Sequence, residues 1–536
     1  MLDTEPMTRP LGAQISHALA ARGVEVIFGI PGVHNQEMYR GIEEAGLRHV
    51  LARHEQGAGF MADGYARATG RPGVAYVITG PGLCNILTPL GQSWSDSVAV
   101  LAISSCLPEG GRHDHRLHEM RDQRAAAAAV TEWSEEARDA EHAYALVDRA
   151  LLGFEGRRRR PVHIQVPIPA LEAAAKPAAP RSAGPRRAAP PDPGAVARAA
   201  RLLAEARRPM LLLGGGAAGA ATEARALAAR LGAASFASYA GRGVIDSGAP
   251  LHYGCALARP DSAAEIGRAD AVLVVGCALS ETDLWRADPG FAADAKVIRF
   301  DIDPAILAAD HRADLRIAGD AAEGLGALRA ALGEAEPATL WQPDEVAAAR
   351  DRWRAAIAAE RPGLVPVIEA LRAALPADAT VFSDMTQLAY AALELWPARA
   401  PGLWHHPSGF GTLGYALPAA IGAKVGCPGR PVVALAGDYG LQYTIQELGT
   451  AVELGLPLPI IVWDNGKLGE IEDSMTAAQI APNAVIQRNP DFCALARAWG
   501  AAAERPQNLE ELRDTVALAF ATRGPTLIHL TPAAVR

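Results

Sequence analysis

Residues 432–473 read VVALAGDYGLQYTIQELGTAVELGLPLPIIVWDNGKLGEIED. An apolar run from Val432 to Ala436 stops at Gly437-Asp438, and a second, from Leu458 to Trp463, stops at Asp464-Asn465-Gly466. Between them, roughly Thr444 to Leu454, the pattern is helical. Strand, helix and strand form a right-handed crossover, which brings both strand ends to one edge of a parallel sheet. Ligands of open α/β sheets bind at that edge. Asp438 and Asn465 are therefore expected to converge from 27 positions apart. One carboxylate and one amide oxygen suit Mg²⁺ when phosphate oxygens and water complete the shell. Gly437, Gly440 and the helix start behind them suit a diphosphate. An ordinary crossover unit with polar turns would carry the same residues, and spacing alone leaves both readings open.

The stretch resembles the diphosphate-binding motif of the thiamine diphosphate (ThDP) enzymes. That motif opens Gly-Asp-Gly and closes Asn-Asn just under thirty residues on. Tyr439 stands where the motif has its third glycine, and Asp464 where it has its first asparagine. The resemblance implies Mg²⁺ held by Asp438, Asn465 and the carbonyl of Lys467, with Gly437, Tyr439 and Gly440 beside the diphosphate.

Composition bounds the rest. A chain of 536 residues is too long for one core, so two to four domains are expected. A net charge of −9 argues against a nucleic-acid partner. The one basic block, Arg157–Arg160, reads as a solvated loop. Six cysteines without a CxxC pair fit a reducing compartment and no zinc site. No apolar run reaches the ~18 residues of a membrane span, and MLDTEPMTRP lacks the shape of a signal peptide. A cytoplasmic location is expected.

Upstream, helix and strand alternate, as in an α/β domain with a parallel sheet. A strand from His49 to Ala52 is followed by Glu55 at a helix start, where the dipole favours a carboxylate for structural reasons alone. RHEQGAGFMADGYARATGRPG, followed by TGPG, is similar to the pyrimidine-binding domain of acetolactate-synthase-type ThDP enzymes. The resemblance implies that Glu55 binds a ring nitrogen of the aminopyrimidine and tunes a proton transfer by position. The cofactor then does the carbon chemistry.

Residues 98–125 carry His113, His115 and His118, an HxHxxH pattern more easily read as a solvated loop than as a metal site. Relatives with decarboxylase activity place a His pair here, so His118 is a candidate proton relay and His34 a weaker one. Residues 170–194, rich in Ala, Pro and Arg, read as a linker. Gly214-Gly215-Gly216 is not GxGxxG. The central domain resembles that of the acetolactate synthase family, which holds FAD in some members. The Met-His-Gly-like stretch of those members is missing around Ala256–Pro260, so FAD is not expected. A second linker is expected over 334–346. Further on, the resemblance places Gln387 near the diphosphate, the Gly411 carbonyl at the 4′-amino group, and Leu413 between the cofactor's rings.

The expected fold is thus α/β: three doubly wound domains with parallel sheets. They are a pyrimidine-binding domain over 1–175, a central domain over 195–335 and a diphosphate-binding domain over 350–536. Glu55 and Asp438 are about 380 positions apart. In the family they meet across a subunit interface, which implies a homodimer or homotetramer.

After Leu468-Gly469 stand Glu470, Ile471, Glu472 and Asp473, where acetolactate synthases are apolar and carry a Trp. Glu470 and Asp473 share a helical face. A surface helix would explain them blandly. Facing the pocket, they would ask for a cationic tail, since guanidinium and carboxylate pair in two-pronged geometry. IPGVHNQEMYRG, LHEMRDQRA and GKLGEIEDSM resemble the 5-guanidino-2-oxopentanoate decarboxylases, which release 4-guanidinobutanal and CO₂ in arginine catabolism. The alternative is an acetolactate-synthase-like carboligase joining two 2-oxo acids.

Overall fold

The computed structural model describes residues 7–108, 115–181, 184, 186–334 and 339–535. Three sheets, each wholly parallel, divide the chain. The N-terminal sheet runs Arg48–Leu51, Val26–Gly29, Gly73–Val77, Val100–Cys106, Val162–Pro167, Ser134–Glu136. The C-terminal sheet runs Trp404–His405, Thr380–Ser383, Val432–Gly437, Leu458–Trp463, Pro525–Leu530, Ala502–Glu504. Numbered within each domain, both have the order 2-1-3-4-6-5. The central sheet, order 2-1-3-4-5, runs Ala234–Ala237, Pro209–Leu213, Ala271–Val275, Lys296–Asp301, Leu315–Ala318.

The near-continuous apolar strands explain this architecture. Val432–Gly437 and Leu458–Trp463 are buried at every position, as strands covered by helices on both faces must be. The expected single helix between them is two, Asp438–Thr444 and Glu447–Glu453, and the first begins at Asp438 itself.

The two outer domains share one core. Helix Glu55–Thr69 lies against helix Ala416–Gly426, and Phe60 and Met61 join Tyr415, Ile421 and Leu448 in a single buried cluster. Gly64 and Gly422 permit this approach: a Cβ on either would lie about 2 Å from a carbonyl oxygen of the other helix. Several side-chain links fix the central domain, among them these two. Arg158 pairs with Asp303 at 3.5 Å, and Arg242 donates to the Trp396 carbonyl at 2.5 Å.

Two expectations need correction. The segment 170–194 is not all linker. Helix Ile168–Glu172 and strand Ala174–Ala175 belong to the N-terminal domain, the strand pairing with Arg9–Pro10. Nor is Arg157–Arg160 a freely solvated loop. Arg157 pairs with Glu132, Arg158 reaches Ser97 and Asp303, Arg159 reaches the Gly70 carbonyl, and Arg160 lies over the Trp94 ring. No helix among the described residues is long and apolar enough to cross a membrane.

Candidate active site

In a 2-1-3-4-6-5 sheet the chain leaves strands 1 and 3 in opposite directions, which opens a crevice at their carboxyl ends. In the C-terminal domain these are Thr380–Ser383 and Val432–Gly437. A cavity of about 850 Å³ lies there. Gln387, Gly411, Leu413, Gly437, Asp438, Tyr439, Asn465 and Lys467 all line it, together with Glu470. Gly440 is buried just behind, against Asp384.

Asp438 is 3% exposed. Burial raises its carboxyl above the ordinary range, against a 2.7 Å hydrogen bond that Asn489 Nδ2 donates to Oδ2. The same Nδ2 donates to Asp464 Oδ1 at 2.7 Å. Asp464 is only partly buried, and its hydrogen bonds from His529, at 2.8 Å, and Asn489 hold it below its ordinary value. The residue that replaces the motif's asparagine is thus compensated by His529. Asn465 Nδ2 donates to Gln387 Oε1 at 3.0 Å, and its Oδ1 accepts the Lys467 N–H at 3.3 Å. A buried carboxylate beside an amide oxygen and the peptide of Lys467 is a hard-oxygen set that fits Mg²⁺. Tyr439 sits in helical backbone and is not among the residues of positive φ, so a side chain there brings no strain.

Two supporting residues gave no signal in the sequence. Asp384 is 1% exposed and accepts from the backbone of Met385 and, at 2.9 Å, of Gly414. It braces the loop that presents Gly411 and Leu413. Burial pushes its carboxyl up to about 6. Glu447 is fully buried and reaches the other outer domain. Its Oε1 accepts the backbone N–H groups of Arg53 and His54, both at 3.0 Å.

Glu55 lies elsewhere. It opens helix Glu55–Thr69, is 8% exposed, and accepts from Asn85 Nδ2 at 2.8 Å. It does not line the cavity of its own chain. The His34 and His118 rings meet edge to face, centroids 4.9 Å apart, and the Nδ1 of each is buried with no hydrogen-bond partner among the described residues. Burial, then the His118 and Arg116 charges, lower the His34 pKa. His118 has a φ of 63°, and its carbonyl stands over Gly80. His34 and Gly80 follow strands 1 and 3 of the N-terminal sheet, so this group occupies that sheet's own crevice. One chain therefore holds its candidate residues in two separate groups, one at each outer sheet.

The acidic helix Gly469–Ala477 departs from expectation. Glu470 faces the cavity but accepts a fork from Arg361, Nε at 3.1 Å and Nη2 at 3.2 Å. Glu472 pairs with Lys467. Asp473 is exposed, does not line the cavity, and accepts from Gln387 Nε2 at 3.4 Å. The pair Glu470 and Asp473 thus does not open onto the cavity together. Of the HxHxxH pattern, His113 lies outside the described residues, and among the described residues no group of three or more His, Cys, Asp or Glu side chains is placed to hold a metal. In the central domain the glycine turn is bonded to the neighbouring strand end, Gly214 N–H to the Val275 carbonyl and Gly216 N–H to that of Gly276, each at 3.0 Å.

Residues 9–126, 196–328 and 384–530 match the N-terminal TPP binding, central and C-terminal TPP binding domains of thiamine pyrophosphate enzymes. The chain belongs to that family. Among its members, the chain is 44% identical over 534 residues to "Probable 2-ketoarginine decarboxylase AruI" of Pseudomonas aeruginosa, covering 99% of this chain and 95% of that one. It is 31% identical to the acetolactate synthase large subunit of Parasynechococcus marenigrum, over 98% of this chain and 88% of that one. With the acetolactate synthase isozyme 2 large subunit of Escherichia coli it shares 30%, over 97% and 95%. The protein is a ThDP enzyme of the acetolactate synthase and 2-oxo acid decarboxylase family.

Proposed function

We propose that the protein is a Mg²⁺-requiring ThDP decarboxylase that converts 5-guanidino-2-oxopentanoate to 4-guanidinobutanal and CO₂, in arginine catabolism. The observation that carries this reading is the carboxylate of Glu470 in the same cavity as Asp438 and Asn465. It puts an acceptor for a cationic tail beside the metal and diphosphate residues. The likeness to a protein named for 2-ketoarginine, which is the same 2-oxo acid, supports it.

In this reading Asp438, Asn465 and the Lys467 carbonyl hold Mg²⁺, and Gln387, Gly437, Tyr439 and Gly440 surround the diphosphate. The Gly411 carbonyl would accept from the aminopyrimidine, and Leu413 would offer it an apolar contact. ThDP, when bound, would supply a carbon nucleophile and an electron sink. Glu55 holds a proton at the pyrimidine nitrogen. His118, beside His34, returns a proton as the aldehyde leaves. Because Glu55 stands away from its own chain's cavity, a homodimer or homotetramer brings the Glu55 of one protomer to the Asp438 of another.

A panel of 5-guanidino-2-oxopentanoate, pyruvate, 2-oxobutanoate and benzoylformate, with ThDP and Mg²⁺, tests the proposal. Preferred turnover of the guanidino acid to an aldehyde is expected. Acetolactate from pyruvate, with the guanidino acid inert, would favour the carboligase reading that the acetolactate synthase relatives suggest.

A further inference from the structure

One wall of the cavity carries five charged side chains of alternating sign: Glu394, Arg259, Glu360, Arg361 and Glu470. Arg259 forks onto Glu394 through Nε and Nη2, and its Nη1 reaches both Glu360 oxygens, at 2.7 and 2.9 Å. Arg361 stands 3.9 Å from Glu360 and forks onto Glu470. Three carboxylates thus share two guanidiniums. The remaining charges on the lining do not alter this: Lys467 pairs with Glu472, and Asp438 belongs to the metal set.

The ladder is closed at one end and open at the other. The Glu394 and Arg259 side chains are 11% and 8% exposed. Those of Glu360 and Glu470 are 49% and 36% exposed. Glu360 also ends helix Pro343–Glu360, where the helix dipole adds negative potential. Two accessible carboxylates therefore flank a single guanidinium, each with lone pairs to spare.

We infer that Glu360 and Glu470 together seat the substrate's guanidinium tail alongside Arg361, with Arg259 and Glu394 as the buried anchor that positions Glu360. This rests on the function proposed above. The tail is the third cation of the ladder, and its planar fork matches carboxylates that already accept such forks from the protein. Arg361 is engaged by Glu470 and is not the group that binds the carboxylate of the 2-oxo acid.

Steady-state kinetics of the holoenzyme with 5-guanidino-2-oxopentanoate and with 2-oxohexanoate, whose tail is uncharged, test this in Glu360→Gln and Arg361→Met. Glu360→Gln is expected to raise KM for the guanidino acid roughly tenfold to a hundredfold, with kcat little changed, and to erode preference over 2-oxohexanoate equally. Arg361→Met removes a competing cation and is expected to lower that KM. A KM raised tenfold or more by Arg361→Met, or a preference untouched by Glu360→Gln, overturns the inference. Glu360 lies half exposed at a helix end, so Glu360→Gln remains decisive if Arg361→Met does not fold. If the wild-type enzyme releases no aldehyde from the guanidino acid, it is the proposed function that falls. Calorimetric binding of unreactive 5-guanidinopentanoate, weakened by Glu360→Gln, then still reports on the seat alone, and unchanged binding would remove it.

Discussion

Glu447 Oε1 accepts the backbone N–H of His54 at 3.0 Å. The bond crosses from the C-terminal to the N-terminal domain and ends one residue before Glu55. A carboxylate with no exposure thereby fixes the strand-to-helix junction that presents Glu55, the residue proposed to bind the aminopyrimidine.

Burial raises the Glu447 carboxyl from 4.5 to about 7. A raised carboxyl binds its proton more tightly folded than unfolded, so its stabilisation is complete below about pH 4.5 and is lost as pH rises through about 7. The full difference is on the order of 3 kcal/mol. Urea midpoints measured from pH 4.5 to 8 should fall more steeply for wild type than for Glu447→Gln. Parallel curves would show that Glu447 titrates normally.

Gly57 lies under the same carboxylate, and a Cβ there would come 2.1 Å from Glu447 Oε1. Gly57→Ala must displace Glu447 and with it the Arg53–His54 peptides. Overpacking of this kind costs about 1–3 kcal/mol. A lower melting temperature is expected together with a loss of kcat, whereas Gly46→Ala, at an open turn, should leave kcat intact.

Asn489 holds Asp438 and Asp464 with one amide nitrogen. Asn489→Leu removes that donor and frees Asp438 to turn. Mg²⁺ affinity, read by calorimetry without substrate, should weaken about tenfold to a hundredfold, the usual effect of losing a group that orients a metal ligand. An unchanged affinity would show that the Asp438 carboxylate is oriented by its backbone alone.

The separation of Glu55 from the Asp438 cavity gives a test of assembly. Glu55→Gln and Asp438→Asn should each abolish turnover. Mixed and refolded together, the two variants should regain roughly a quarter of the wild-type sites, because a mixed dimer contains one intact site. No recovery, with mixed dimers shown to form, would mean that each chain builds its site alone.

Most of the fold was legible because buried parallel strands leave nearly unbroken apolar runs, as at Val432–Gly437 and Leu458–Trp463. Asp438 and Asn465 could be brought together from the sequence because each stands just past the end of an apolar strand, whereas Gln387 was placed by the family resemblance alone. Asp384 and Glu447 were not legible, since one caps a loop 30 residues away and the other an element 393 residues away. Sequence alone does not mark such partners. The acidic helix was only half legible for a related reason. Glu470 and Asp473 do share a spacing, but Arg361, 109 positions upstream, takes one of them.

The most direct test of the account is a competition in one vessel. Equimolar 5-guanidino-2-oxopentanoate and pyruvate are given to the enzyme with ThDP and Mg²⁺, and the products are identified by mass spectrometry. Accumulation of 4-guanidinobutanal with little acetolactate is expected. Accumulation of acetolactate, with the guanidino acid recovered intact, would contradict it.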